Sequence, residues 1–337
     1  MNKILVILGP TSTGKTDLAL KLAQKLGGEL VSVDSRQVYK NLDIGTGKLP
    51  VQLKIENCKL KIKKGDGWWK INGGKIWMYD VVEAKKQYTV FNYVKDASKL
   101  IDDILQRGKL PILAGGTGFY LKALLEGLPN LAVPQDLKLR EKLEKLSLEQ
   151  LQKRLQELSL KKWESMNHSD RQNSRRLVRA IELVILSLRG VKRRSNLPIP
   201  LKIATLIARD DNVLKIGLTA PREILYQRID ERVISRINQG MIEEADKLHK
   251  EGLSFERMKQ LGLEYGVLAD YLMGQIASKD QLIKILQDKI HGFARRQITW
   301  FKKEKEMKWF DIAGSHYLHK VEELVSEWYD SGYDTED

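Results

Sequence analysis

The run from Lys3 to Leu8, apolar after its first residue, leads directly into Gly9-Pro-Thr-Ser-Thr-Gly-Lys-Thr16, and apolar residues then recur at helical spacing to Leu26. A G-x-x-x-x-G-K-[ST] turn between a strand and a helix constrains this chain more than any other feature, because it prescribes a phosphate loop at the edge of a sheet. The glycines let the backbone wrap so that N–H groups face phosphate oxygens, and the start of the following helix adds partial positive charge. Gly9, Pro10, Thr11, Ser12, Thr13, Gly14, Lys15 and Thr16 are therefore expected to hold a diphosphate or triphosphate. Lys15 would neutralise the terminal phosphate and Thr16 would offer its hydroxyl to Mg²⁺. The same motif makes the apolar start a buried first strand and not a signal segment. It leaves the reaction open, since kinases, NTPases and other enzymes share the loop.

Further strand-like runs at Leu30–Val33, Leu110–Ala114 and Ile203–Leu218 alternate with helical patterns, as a parallel α/β sheet requires. Gln52–Val82 reads differently. Polar and apolar residues alternate there around Gly65-Asp-Gly and Asn72-Gly-Gly, which predicts a small inserted antiparallel ribbon. Leucines at 139, 143, 146, 151, 155 and 158 follow three-and-four spacing, predicting an amphipathic helix or helical hairpin, and a second helix is expected over 174–188. The expected architecture is thus α/β: a P-loop NTPase-like parallel sheet core over 1–129 and 201–315, carrying the ribbon at 52–82. A helical insertion follows at 130–200, and 316–337 forms an acidic, frayed tail with seven acidic residues after Val321. No apolar run approaches the ~20 residues of a bilayer span. A single cysteine, Cys58, allows neither an internal disulfide nor a cysteine zinc finger, so a reducing, cytoplasmic setting is expected.

The formal charge of +14 is concentrated. Residues 131–200 carry 16 basic and 8 acidic side chains, and residues 291–310 carry six and two, so the two stretches hold +12 of it. Such concentration suits a polyanion, whose condensed counterions are released by each Lys or Arg contact, although a solvated helical face has the same composition. Two more turns fall on the loop's edge of the sheet, where α/β proteins bind ligands. One is Val33-Asp34-Ser35-Arg36-Gln37; the other is Gly115-Gly-Thr117-Gly118. On local sequence alone Asp34 is equally a Mg²⁺-binding acid or a helix cap.

Taken together the motifs resemble the tRNA dimethylallyltransferase (tRNA isopentenyltransferase) family. The resemblance is carried by the phosphate loop, Ser32-Val-Asp-Ser35 with Val38-Tyr-Lys40, Asp43-Ile-Gly-Thr-Gly-Lys48, Tyr88-Thr-Val90, Gly115-Gly-Thr117 with Tyr120-Leu121, and Ala123-Leu-Leu-Glu-Gly-Leu128. It continues through Arg176-Leu-Val-Arg-Ala-Ile-Glu182, Pro221-Arg222-Glu with Gln227-Arg228-Ile, and Arg296-Gln-Ile-Thr-Trp300. It implies transfer of a dimethylallyl group from dimethylallyl diphosphate to N6 of the adenosine immediately 3′ of the anticodon in tRNA. By this correspondence the loop holds the prenyl diphosphate, with Mg²⁺ on Thr16. Asp34 matches the general base, Thr117 the hydroxyl facing the leaving oxygen, and Lys15 and Arg222 the cations that stabilise the departing charge. The resemblance places the anticodon stem-loop against Asp34, Ser35, Arg36, Gln37, Thr117, Arg140, Arg175, Arg176, Arg179, Arg295, Arg296, Gln297 and Trp300.

Three segments depart from the family pattern. Ile76-Trp-Met-Tyr-Asp-Val-Val replaces a His-His-Leu-Ile-Asp-like stretch, the ribbon around Trp68 and Trp69 is atypical, and Leu261-Gly-Leu-Glu-Tyr265 within 259–266 is unusual. The ribbon tryptophans suit either packing or stacking on RNA bases, as do Trp300 and Phe301. His291, His316 and His319 are expected at the surface, and Met241 with Ile242 and Ala245 in a core stripe. Rival functions are an adenylate isopentenyltransferase acting on free nucleotides, a small-molecule kinase, and a non-catalytic RNA-binding protein. Nothing in the sequence requires more than a monomer.

Overall fold

The computed structural model describes residues 3–49, 61–128, 130–131, 133–188, 212–304 and 306–331. Its strands are β1 (Ile4–Leu8), β2 (Glu29–Val33), β3 (Ile62–Gly65), β4 (Trp68–Ile71), β5 (Gly74–Trp77), β6 (Pro111–Gly115), β7 (Val213–Thr219) and β8 (Met307–Asp311). They form one sheet in the order β3-β4-β5-β2-β6-β1-β7-β8. Every neighbour from β5 to β8 is parallel, and only β3-β4 and β4-β5 are antiparallel. The unbroken apolar runs have this cause: β1 and β2 are buried along their whole length, and the apolar side chains of β6 are buried on both faces.

The helices are α1 (Lys15–Leu26), α2 (Val90–Gln106), α3 (Gly118–Leu125), α4 (Leu137–Leu143), α5 (Leu148–Leu158), α6 (Leu160–Glu164), α7 (His168–Arg171) and α8 (Ser174–Leu188). They continue with α9 (Arg222–Asn238), α10 (Met241–Lys250), α11 (Phe255–Leu261), α12 (Leu263–Leu272), α13 (Lys279–Phe301) and α14 (Tyr317–Asp330). The chain divides into two compact units, Met1–Glu126 with Ile199–Asp337, and Gly127–Pro198. In the smaller unit the leucine comb is split between α4 and α5. It closes with α8 on a core of Leu143, Leu151, Leu155, Leu177 and Ile181. That core also surrounds Glu182, a fully buried carboxylate that accepts hydrogen bonds from Arg140, Arg179 and the backbone N–H of Asp136.

Several expectations need correction in the larger unit. The inserted antiparallel ribbon is present as β3-β4-β5, and the sequence did not show that β5 pairs in parallel with β2 and so makes the ribbon an extension of the main sheet. Its two tryptophans part company: Trp69 is buried against Tyr79 at 5.5 Å, while Trp68 is only half-buried. The first part of the predicted ribbon, residues 52–60, and the strand-like run 203–211 lie outside the described residues. The acidic end is no frayed tail as far as residue 331. It forms α14, which seats Val321 and Val325 in the main core. The charges fall on the opposite face, so composition concealed an amphipathic helix. His291 is half-buried, its ring stacked on Tyr226 at 3.9 Å with Nε2 2.9 Å from Asp230. Phe301 is fully buried and Trp300 lies against Gly118, so both pack.

Candidate active site

Four strand ends deliver the site. The loop after β1 carries Gly9–Thr16, β2 runs into Asp34, β6 into Gly115–Thr117, and β7 precedes α9. Because these strands are parallel, the turns share one edge. A cavity of about 510 Å³ opens there, lined by Thr11, Ser12, Gly14, Lys15, Thr16, Asp17, Asp34, Arg36, Gln37, Gly115, Gly116 and Gln297 with side chains of α9 and α12.

The loop is held from within and across. Gly14 adopts φ +82°, a left-handed conformation that suits glycine, at the N-cap of α1. The Thr13 hydroxyl donates to the Pro10 carbonyl at 2.9 Å, and Lys15 Nζ donates to the same carbonyl at 2.7 Å. Gln297 accepts from the Thr11 N–H at 2.9 Å and donates to the Gly116 carbonyl at 2.8 Å, tying the loop to the turn after β6. That side chain, expected on the RNA face, is buried and committed to these two bonds.

Asp34 lines the same cavity. Its Oδ1 accepts from the backbone N–H groups of Arg36 at 2.8 Å and Gln37 at 3.3 Å. The Thr117 hydroxyl oxygen accepts from the Ser35 N–H at 3.2 Å, and the Thr117 N–H donates to Val33, so Asp34, Ser35 and Thr117 form one linked turn. Gln37 is fixed from behind by the Ser32 hydroxyl at 2.7 Å. Arg36 donates to the Leu261 carbonyl at 3.0 Å, which brings the atypical 259–266 segment against the Asp34 turn.

Sequence reasoning missed the cationic wall. Arg228, Arg232 and Arg236 stand four residues apart on α9, so one face of the helix presents all three to the cavity. The four-residue spacing was the available signal. Arg232 donates to the Thr11 hydroxyl at 3.1 Å, and Arg236 donates to the Gly45 carbonyl at 3.1 Å and to Glu264 at 3.3 Å. Gly47, at φ +63°, lies under both guanidinium groups where any side chain would collide. Burial, reinforced by Arg232, pushes Lys15 down to about 7 despite the opposing charge of Asp34. Burial also pushes Arg232 down to about 9, with Arg236 adding to the effect. Asp17 is pushed up to about 6 by burial, against Arg232 and Arg228. Buried cations depressed in this way are electrostatically under-compensated, and a multiply charged anion relieves them. Arg222, by contrast, is exposed at the first turn of α9, its guanidinium 5.0 Å from the Tyr226 ring, and does not line the cavity.

Residues 37–304 match the family described as IPP transferase, and residues 2–60 match isopentenyl transferase. The chain belongs to the IPP transferase family. Among similar relatives, tRNA dimethylallyltransferase 2 of Treponema denticola is 42% identical over 299 residues, 89% of this chain and 91% of the relative. A tRNA dimethylallyltransferase 1 of Geotalea uraniireducens is 37% identical over 89% of this chain and 88% of its own length. The solved tRNA isopentenylpyrophosphate transferase of Bacillus halodurans superposes with a TM-score of 0.66 at 27% identity, covering 98% of both chains. A eukaryotic dimethylallyltransferase acting on tRNA shares the fold at a TM-score of 0.73, covering 99% of this chain and 80% of its own.

The remaining positions expected to face RNA in this IPP transferase fall into two groups. Arg175, Arg295 and Arg296 are exposed, as is Arg176 beside Asp170. Arg140 and Arg179 are bound to Glu182, and Trp300 is packed. For a divalent ion, no group of three His, Cys, Asp or Glu side chains suited to a metal exists among the described residues. Thr16 and Asp17 both line the cavity, and Asp17 Oδ1 is buried without a hydrogen-bond partner. This donor set fits an ion that takes most of its ligands from phosphate and water, as Mg²⁺ does.

Proposed function

We propose that this protein transfers a dimethylallyl group from dimethylallyl diphosphate to N6 of the adenosine immediately 3′ of the anticodon in tRNA, releasing diphosphate. The observation that carries the reading is one cavity lined both by the phosphate loop with Arg228, Arg232 and Arg236 and by Asp34, whose turn is tied to Thr117. The adenosine N6 attacks the allylic C1 as the C1–O bond breaks. The electron pair leaves with diphosphate, and the N6 proton passes to Asp34. Loop N–H groups, Lys15 and the α9 arginines stabilise the charge that accumulates on the leaving oxygens. In this reading the Thr117 hydroxyl contacts the leaving group from the adenosine side. Mg²⁺, bound with the diphosphate by Thr16 and Asp17, supplies further charge neutralisation there.

The unit Gly127–Pro198 is the RNA-binding insertion in this reading, through Arg175 and Arg176. Arg140 and Arg179 shape it from within, held by Glu182. An anticodon loop is the cheapest place to extrude an adenine, since it is already single-stranded. The protein acts in the cytoplasm, where tRNA and a prenyl diphosphate meet, and acts as a monomer. A test offers labelled dimethylallyl diphosphate and Mg²⁺ with unmodified tRNA and free AMP in parallel. Label on tRNA at the adenosine 3′ of the anticodon is the expected result. Label on AMP alone would assign the protein to nucleotide prenylation, and label on neither acceptor would return the kinase and RNA-binding readings.

A further inference from the structure

The outer face of the β3-β4-β5 extension carries a charge pattern that the catalytic cavity does not use. Side chains alternate between faces along a strand. Trp69, Ile71 and Ile76 turn into the core. On the other face Lys63, Lys70 and Lys75 stand directly opposite one another across the three strands, and Trp68 and Trp77 form the neighbouring pair. Lys63 and Lys70 are exposed, and Lys75, Trp68 and Trp77 are half-buried.

Like charges paired directly across strands destabilise a sheet. Here the repulsion occurs twice in one row, and none of the three lysines forms an ion pair among the described residues, whereas Lys64 on the inner face pairs with Asp43 at 2.6 Å. The row is also held in place. Lys75 Nζ lies 3.5 Å from the Trp77 ring centroid and 5.0 Å from that of Trp68, and the Trp77 indole N–H donates to Glu29 at 2.6 Å. Gly65, opposite Trp68, leaves room for the indole to lie flat, since any side chain there would strike it. A lysine row braced on aromatic faces, with none of its members in an ion pair among the described residues, is complementary to a polyanion whose bases or sugars also offer flat surfaces, which is the chemistry of RNA.

Its position fits. β5 is parallel to β2, so Trp77, and Trp68 beside it, lie toward the edge where β2 delivers Asp34. In the adjoining β3-β4 turn Asp66 pairs with Lys40 at 2.8 Å, only six residues beyond Asp34.

We propose that this face is an RNA-contact surface. Lys63, Lys70 and Lys75 neutralise backbone phosphates, and Trp68 and Trp77 receive a base or ribose of the same RNA that presents the acceptor adenosine. The inference rests on the reading of RNA as substrate, but its test does not depend on prenyl transfer. The full chain is titrated with unmodified tRNA between about 50 and 200 mM salt, as wild type, as Lys63→Glu/Lys70→Glu/Lys75→Glu, as the milder triple Gln variant, and as Trp68→Ala.

Loss of three phosphate contacts lowers the slope of log affinity against log salt by about 2–3 and weakens binding about tenfold or more at low salt. The Gln variant shows the same reduced slope, and Trp68→Ala weakens binding with the slope unchanged. Unaltered affinity and slope in both triple variants, with circular dichroism showing them folded, overturns the proposal. Wild type that binds tRNA through these lysines yet transfers nothing overturns the substrate reading and leaves the surface standing.

Discussion

Lys15 shows at the scale of one residue how burial turns a sequence motif into a chemical property. The motif fixed its place, but its depressed pKa arises from burial together with Arg232, a residue more than 200 positions away. Near pH 8 most of the free protein carries this amine neutral, and a bound diphosphate restores the proton. The Lys15 contribution to binding is therefore an uptake of about one proton at pH 8 and little at pH 6, because its free-state pKa of about 7 separates the two conditions. Calorimetry of dimethylallyl diphosphate binding in buffers of different ionisation enthalpy measures that uptake, and Lys15→Met should abolish it. Equal proton uptake in the variant would place the titrating group elsewhere. The loop, Asp34 and Thr117 were legible because each follows an apolar strand at a Gly-rich or polar turn. The α9 arginines were hidden for a physical reason: a helix face is oriented only by what it packs against, and the sequence does not state that partner.

Among the elements, the segment between Leu42 and Lys48 depends on a distant carboxylate. Glu244 on α10 accepts from the backbone N–H groups of Asp43 at 2.9 Å, Ile44 at 2.8 Å and Gly45 at 3.0 Å, and from the Tyr265 hydroxyl at 2.6 Å. That one side chain holds the turn whose Thr46 and Gly47 line the cavity, directly beneath Arg232 and Arg236. Glu244→Ala leaves three N–H donors without their partner, at about 1–3 kcal/mol for each that stays buried. The expected outcome is at least a tenfold fall in kcat/KM for dimethylallyl diphosphate with tRNA affinity within about twofold. Wild-type kinetics in a folded Glu244→Ala protein would show that the segment positions nothing. The hairpin β3-β4-β5 was readable from its alternation and turns, but its union with the parallel sheet was not, because β5 pairs with β2 across more than forty residues of chain.

For the whole molecule, the two ends of the chain close the larger unit together. Lys3 beside β1 donates to the carbonyls of Trp328 and Tyr329 on α14, whose Val321 and Val325 sit in the same core as Leu5 and Ile7. The acidic composition of this segment suggested a solvated tail, and tertiary packing overrode that reading. Removing residues 316–337 should expose those valines' site and cost about 3–6 kcal/mol, at 1.5–3 kcal/mol for each fully buried valine. A chemical-denaturation curve unchanged by the truncation would contradict the packing. The α/β class and the helical insertion were legible because period-2 and period-3.6 patterns are local, whereas sheet order and the closing helix are set by contacts between remote segments.

The central claim is that one cavity binds the prenyl diphosphate on its cationic wall and receives the adenosine N6 proton at Asp34. It is tested most directly by single-turnover transfer of labelled dimethylallyl group to an anticodon stem-loop, comparing wild type with Asp34→Asn, whose side chain still accepts from the Arg36 and Gln37 N–H groups. The account predicts a rate lower by about 10²–10⁴ with affinities for tRNA and dimethylallyl diphosphate nearly unchanged. Transfer at the wild-type rate by Asp34→Asn would contradict it.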